Sequence, residues 1–123
     1  MELQDKITLI EGDALEVLPE LRKQGKRYDY IFMDAAKGQY INFLPFCIEM
    51  LNSGGMLCAD NIFARGFVTA ERKDTPHRMR TTHDRMRVFL TEIMNHPGFW
   101  ASIVPIGDGL VVAVKRECTL DNQ

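Results

Sequence analysis

Tyr28-Asp29-Tyr30-Ile31-Phe32-Met33-Asp34-Ala35-Ala36-Lys37-Gly38-Gln39-Tyr40 decides how the rest of this chain is read. Its apolar run, Tyr30-Ile31-Phe32-Met33, reads as a strand that delivers one carboxylate, Asp34, at its C-terminal end. Small residues, Lys37 and Gly38 come next, before a helical pattern begins. In open α/β sheets, ligands bind in the crevice outside the carboxyl ends of the strands, so an acid there with a lysine nearby marks a candidate site. A second acid-bearing strand end, Ala59-Asp60-Asn61, comes about 26 residues later, the repeat expected of parallel strands joined by helical crossovers.

Between the two strand ends, Tyr40, Phe43, Leu44, Cys47, Ile48 and Leu51 recur at the spacing of an amphipathic helix. Taking Asn42 as its N-cap puts Pro45 in the first turn, where there is no intrahelical N–H bond to lose. Asn52-Ser53-Gly54-Gly55 is expected to end that helix and Met56-Leu57-Cys58-Ala59 to form the next strand. Both strands are apolar on both faces, the pattern of buried parallel strands.

Upstream, Ile7-Thr8-Leu9-Ile10 reads as a further strand, closed by Glu11-Gly12. Asp13 is then an N-cap, with Glu16 completing a capping-box pattern, and Ala14, Leu15, Leu18 and Leu21 form an apolar stripe. Pro19 lies deep enough to kink or divide this helix. Downstream, Met86, Phe89, Leu90, Ile93 and Met94 mark another helix, capped by Thr81 or Thr82 and stopped at Asn95-His96-Pro97-Gly98. Gly107-Asp108-Gly109 lies between two β-rich runs, Trp100 to Ile106 and Leu110 to Val114, and predicts a hairpin. Phe99 and Trp100 are expected in the core or at a dimer contact.

The 123 residues suffice for one domain with a modest core, and 46% apolar with 26% charged residues is a globular composition. A net charge of -2 supplies no field for nucleic acid or an anionic membrane, so neither is an expected partner. The N-terminal residues lack the apolar run of a signal peptide, and no stretch approaches the roughly 20 apolar residues of a membrane span. Cys47, Cys58 and Cys118 are an odd set without CxxC spacing, and Cys47 and Cys58, in apolar segments, read as buried free thiols in a reducing, cytoplasmic setting. His77 and His83 fit no zinc spacing and read as solvated. From Arg65 to Arg87 there are seven Arg or Lys against three acids. This basic loop is either a contact for an acidic substrate moiety or a solvated surface.

Ile10-Glu11-Gly12-Asp13-Ala14, Phe32-Met33-Asp34-Ala35-Ala36-Lys37, Asp60-Asn61 and Pro105-Ile106-Gly107-Asp108-Gly109-Leu110, in this order and spacing, carry a resemblance. The chain resembles the metal-dependent O-methyltransferases that include catechol and caffeoyl-CoA O-methyltransferases, from about Ile7 to Lys115. The resemblance implies an α/β, Rossmann-like class I methyltransferase fold with a C-terminal antiparallel hairpin. It implies S-adenosylmethionine as methyl donor, a divalent metal (Mg, Ca or Mn), and a small-molecule hydroxylated aromatic substrate with two adjacent hydroxyls. On matching positions, Asp34, Asp60 and Asn61 would be metal ligands and Lys37 the catalytic base. Gly12, Asp13 and Ala14 would lie by the adenine, and Asp34 with Ala35 would border the cofactor.

The family's first two strands, its glycine-rich loop and the acid that grips the ribose have no counterpart here. In the family strand order 3-2-1-4-5-7-6, the chain is expected to supply 3, 4, 5, 6 and 7, as a truncated C-terminal half that is inactive alone. The strand of Ile7-Thr8-Leu9-Ile10 then either pairs directly with Tyr30-Ile31-Phe32-Met33, compressing the sheet, or two chains cover each other's edges as a homodimer; the homodimer is the favoured expectation. The alternative to an enzyme is a non-catalytic remnant that binds a partner through its exposed sheet edge. On the residues alone, Asp60-Asn61 also reads as an ordinary loop cap and Lys37 as a solvated helix-start lysine.

Overall fold

The computed structural model describes residues 3–63 and 80–117. After a 3-10 turn at Leu3–Lys6 come helix α1 (Ala14–Lys23), strand β1 (Tyr28–Met33), a 3-10 turn (Lys37–Gln39), helix α2 (Tyr40–Met50) and strand β2 (Leu51–Asp60). Helix α3 (Arg80–Asn95) and the hairpin of β3 (Phe99–Val104) and β4 (Leu110–Lys115) complete it. The sheet order is β1-β2-β4-β3. β1 and β2 are parallel, and β4 runs antiparallel between β2 and β3. This is the 4-5-7-6 portion of the expected order, hairpin included.

The expected strand at residues 7–10 does not form. Ile7, Leu9 and Ile10 are exposed, Leu9 at 82%. β-propensity expresses itself only against a paired neighbour, and among the described residues β1 pairs with β2 alone. Among the described residues the sheet therefore has four strands rather than five, and residues 7–10 do not make the compressed pairing.

Alternation along the strands gives the sheet two unlike faces. Met33, Leu57, Ala59, Val111, Ala113 and Phe99 pack with Tyr40, Phe43, Leu44 and Cys47 of α2 and with Met86, Phe89 and Ile93 of α3 in one core. Among the described residues the other face leaves several large apolar side chains exposed. Across it Tyr30 is in register with Met56, Met56 with Val114 and Val114 with Trp100, one residue from each strand. Tyr30 is 54% and Trp100 63% exposed, and Phe32 is half-exposed. The expectation of strands buried on both faces is thus corrected for β1. Trp100 lies outside the core with the Arg116 guanidinium 5.1 Å from its ring centroid, whereas Phe99 is buried.

Local chemistry explains most element ends. Asp13 is extended (φ -73°, ψ 127°) and its Oδ1 accepts from Leu15 N–H at 2.9 Å, so it caps α1 as its sequence suggests. Pro19 does not divide the helix, which continues to Lys23. α1 rests on α2 through partly buried Leu15 and Leu18. Arg22 adds a bond to Glu49 at 3.2 Å and stacks on Phe46 at 4.7 Å. α2 starts at Tyr40 rather than after Asn42, because the 3-10 turn feeds straight into it, and Pro45 lies inside the helix. Thr81 and Thr82 lie inside α3 instead of capping it.

The turn expected at Asn52-Ser53-Gly54-Gly55 is a bulge within β2. Tyr28 is opposite Leu51 but Tyr30 is opposite Met56, so the extra residues loop out of the ladder. Gly54 takes φ +82° there, and a Cβ on Gly55 would come within 2.7 Å of the Asn52 carbonyl. Arg27 Nε donates to Asn52 Oδ1 at 3.1 Å, and Asn52 Nδ2 donates to Asp29 Oδ1 at 2.9 Å, pinning the bulge.

Candidate functional site

Asp34 follows the last residue of β1, and Asp60 is the last residue of β2. Met33 is in register with Ala59, so the two acids emerge side by side from the carboxyl ends of adjacent parallel strands, which lie about 4.8 Å apart. Asp34 is exposed and Asp60 half-buried. Asn61 has φ +55°, a left-handed conformation that Asn tolerates better than most residues. Its N–H donates to Asp60 Oδ1 at 2.8 Å, turning the backbone sharply out of β2.

Tyr40 ties this corner together. Its Oη donates to the Asp60 carbonyl at 2.9 Å, with the Met33 carbonyl at 3.3 Å as a second acceptor, and accepts from Ala35 N–H at 3.4 Å. The ring is fully buried and meets Phe89 of α3 edge-on, centroids 5.5 Å apart. Burial foremost pushes the phenol pKa up; the Ala35 N–H opposes this, and the nearby Asp34 and Asp60 charges reinforce it, so the hydroxyl keeps its proton. In the sequence Tyr40 reads as one position of an apolar stripe. The signal was available in its chemistry: a buried Tyr must find a partner for its O–H.

The segment after Asn61 is held by the hairpin turn. Ile62 N–H donates to the Gly109 carbonyl at 3.3 Å, and Phe63 N–H to the Asp108 carbonyl at 2.9 Å. Gly109 has φ +89°, and a Cβ there would fall 2.5 Å from the Phe63 ring.

Lys37 opens the 3-10 turn after β1; its side chain lies outside the described residues. Gly12, Asp13 and Ala14 sit at the start of α1, Gly12 with φ +141° and Asp13 occupied in capping. Ala35 is exposed beside Asp34. The basic loop falls mainly on residues 64–79, together with His77, and Cys118 lies further on, all outside the described residues.

His83 is not solvated. It is 2% exposed, its Nε2 accepts from Arg87 Nε at 3.2 Å, and its Nδ1 stands 3.3 Å from Asp84 Oδ1. The Arg87 bond requires a bare Nε2, so the hydrogen is on Nδ1, facing Asp84. Cys47 and Cys58 are buried free thiols, as expected.

Among the described residues no three His, Cys, Asp or Glu side chains gather as a metal site. The set at the strand ends is different in kind: two carboxylates and an Asn amide, all hard oxygen donors. With one Asp60 oxygen taken by Asn61 N–H, the second Asp60 oxygen, Asp34 and the Asn61 amide oxygen remain. That donor chemistry fits magnesium, calcium or manganese and suits zinc poorly.

A mixed α/β sheet of this order, with acids at the carboxyl ends of its two parallel strands, defines a Rossmann-like class I methyltransferase fold. A sequence profile of the O-methyltransferase family matches residues 1–116, and the chain belongs to that family. It is 34% identical over 120 residues to a caffeoyl-CoA O-methyltransferase of Eucalyptus gunnii, covering 94% of this chain and 48% of the relative. A candidate caffeoyl-CoA O-methyltransferase structure from Staphylococcus aureus superimposes with a TM-score of 0.79 at 28% identity, over 91% of this chain and 53% of that one. The SAH-bound Podospora anserina methyltransferase PaMTH1 shares the fold with a TM-score of 0.74 at 24% identity, over 89% of this chain and 49% of that one. The chain spans about half the length of the curated relatives it matches. No helix among the described residues is long and apolar enough to cross a membrane.

Proposed function

We propose that this chain supplies the metal and acceptor side of an S-adenosylmethionine-dependent O-methyltransferase acting on a hydroxyl of a catechol-like small molecule. The observation that carries this reading is the emergence of Asp34 and Asp60-Asn61 from adjacent parallel strand ends in a chain of this family. Asp34, Asp60 and Asn61 would hold the divalent cation. The cation, when bound, lowers the pKa of hydroxyls that bind it.

Lys37 is the general base in this reading. It takes the proton of the attacking hydroxyl as the O–CH₃ bond forms and the S–CH₃ bond of the donor breaks, leaving S-adenosylhomocysteine. For that it must be neutral before the transfer, which nearby positive charge favours. The rest of the rate comes from in-line positioning of oxygen, methyl and sulfur. Gly12, Asp13 and Ala14 at the head of α1 border the adenine, and Ala35 the cofactor beside Asp34. The cytoplasm is the proposed setting.

Calorimetric titration with Mn²⁺ tests the cation site. Binding that is lost in Asp34→Ala and in Asp60→Ala is the expected result; equal heats from all three proteins would overturn the reading.

A second reading has its own support. Among the described residues β1 is an edge strand, and Tyr30, Phe32, Met56 and Trp100 are exposed on the face opposite the core. Acting alone, the 123-residue chain would be a non-catalytic, partner-binding unit whose edge and face take a second copy of itself.

A further inference from the structure

The Tyr40 hydroxyl touches both strand ends that bear the candidate metal ligands. It reaches the Asp60 carbonyl at 2.9 Å from the β2 side, and from the β1 side the Met33 carbonyl at 3.3 Å and Ala35 N–H at 3.4 Å. Met33 and Ala35 are the residues on either side of Asp34, so their backbone groups set the direction of its Cα–Cβ bond. The Asp60 carbonyl belongs to the peptide that leads into Asn61, and Asn61 departs from the strand at φ +55°. A single buried oxygen thus fixes the backbone at both carboxylates and at the peptide entering the amide ligand.

We propose that Tyr40 is a positioning residue, whose hydroxyl sets the spacing of Asp34 from Asp60-Asn61 and so tunes their affinity for a divalent cation. This rests on the cation-binding reading above. The hydroxyl touches the ligands' backbone rather than the ligands' donor atoms. Partners in that outer position change metal affinity by roughly 10–100-fold when removed. The surroundings make the setting rigid: the ring is fully buried against Phe89, and the helix that carries it starts at Tyr40 itself. Phe would fill the same space and leave the strand ends joined only by the ladder, which stops at Met33 and Ala59.

The test compares Tyr40→Phe with wild type and with Ile93→Val, a fully buried α3 substitution that does not alter the hydroxyl contacts and controls for lost stability. Two readouts are needed: Mn²⁺ affinity by paramagnetic titration of free ion, and amide hydrogen exchange at Ala35 and Asn61. In Tyr40→Phe, exchange at both amides accelerates at least about tenfold and Mn²⁺ affinity falls about 10–100-fold. Ile93→Val changes neither beyond its effect on global unfolding. Unchanged exchange in Tyr40→Phe overturns the proposal whatever the metal does. Accelerated exchange with unchanged Mn²⁺ affinity overturns it too, because the corner would be held without serving the ligands. If wild type binds no Mn²⁺, the cation-binding reading fails and the proposal's affinity claim falls with it; accelerated exchange would then show that Tyr40 ties the strand ends for another purpose.

Discussion

Asp60 makes its contacts in three directions at once. Its carbonyl accepts from Tyr40, its Oδ1 from Asn61 N–H, and its other carboxylate oxygen is the one assigned to the cation in the proposed function. Such a residue has little freedom to be replaced by Glu, whose extra methylene would lift the carboxylate off the Asn61 N–H. Lys37 is the opposite case, a residue placed by the turn that follows β1 and proposed as a base from the family resemblance. In an enzyme carrying this half, Lys37→Met is expected to lower kcat by roughly 10²–10⁴-fold, the usual worth of a general base. Steady-state kinetics decide it: a rise confined to KM would make Lys37 a binding residue. At this scale the strand-end acids were legible because a carboxylate after an apolar run announces itself. His83 was not: Asp84 and Arg87 are its neighbours on α3 and reach its two nitrogens locally, but only the packing of that helix buries the imidazole.

Elements are held to one another here by a few polar clips laid over a common core. Lys115, at the end of β4, donates through Nζ to the Ile48 carbonyl at 2.7 Å and the Leu51 carbonyl at 2.8 Å, closing the C-terminal end of α2 where it turns directly into β2. Burial above all, with Arg27 adding to it and Glu49 opposing, moves its pKa down. Lys115→Met should cost about 1–3 kcal/mol, the penalty for stranding buried acceptors, measured by urea unfolding. Gly109→Ala should cost a similar amount, about 1–3 kcal/mol, for a left-handed residue that is no longer glycine. It should also shift the amide resonances of Ile62 and Phe63, which the turn holds next to Asn61. Cys47 gives a pH dependence: burial pushes its thiol from 9.0 up to about 11. The folded state favours the protonated thiol, so this contribution is complete below pH 9 and is lost as pH rises from 9 to about 11. It amounts to about 2–3 kcal/mol at one pKa unit per 1.36 kcal/mol, and Cys47→Ala should flatten that part of the stability profile.

The helices, β1, β2 and the hairpin were legible in periodicity because packing and pattern agree there. The misreadings share a cause. Residues 7–10 have the composition of a strand but no neighbour to pair with, and Asn52-Ser53-Gly54-Gly55 has the composition of a turn but a strand alongside that absorbs it as a bulge. Context outside the local sequence decided both.

Across the molecule, α2 and α3 cover one face of the sheet, the opposite face exposes Tyr30, Phe32, Met56 and Trp100, and among the described residues β1 is paired on one side only. Two consequences are expected of the 123-residue chain by itself. The first is weak cofactor binding, since in the proposed function these residues take the adenine side and the metal side, without the family's glycine-rich loop and ribose-binding acid. At about 1.5–3 kcal/mol for each lost hydrogen bond to a charged group, a micromolar ligand becomes millimolar or weaker. Calorimetric titration with S-adenosylmethionine in the presence of magnesium checks this, and micromolar affinity or methylation of a catechol by the chain alone would contradict it.

The second consequence is self-association. An unpaired strand presents a row of backbone donors and acceptors, and β1 carries no Lys or Pro to discourage pairing. Beside it runs an apolar row of exposed Tyr30, Met56 and Trp100 with half-buried Val114, crossing all four strands. Two β1 edges brought together around a twofold axis pair antiparallel, joining the sheets and bringing the two apolar rows next to each other. Sedimentation at about 10–100 µM, concentrations at which a micromolar dimer is well populated, should therefore show a dimer. Phe32→Lys places a charge on the exposed face of the edge strand without entering the core, since Phe32 is half-exposed. It should shift the equilibrium to monomer while leaving the helical circular dichroism unchanged. A wild-type chain that stays monomeric over that range would show that the edge needs a different occupant than a second copy.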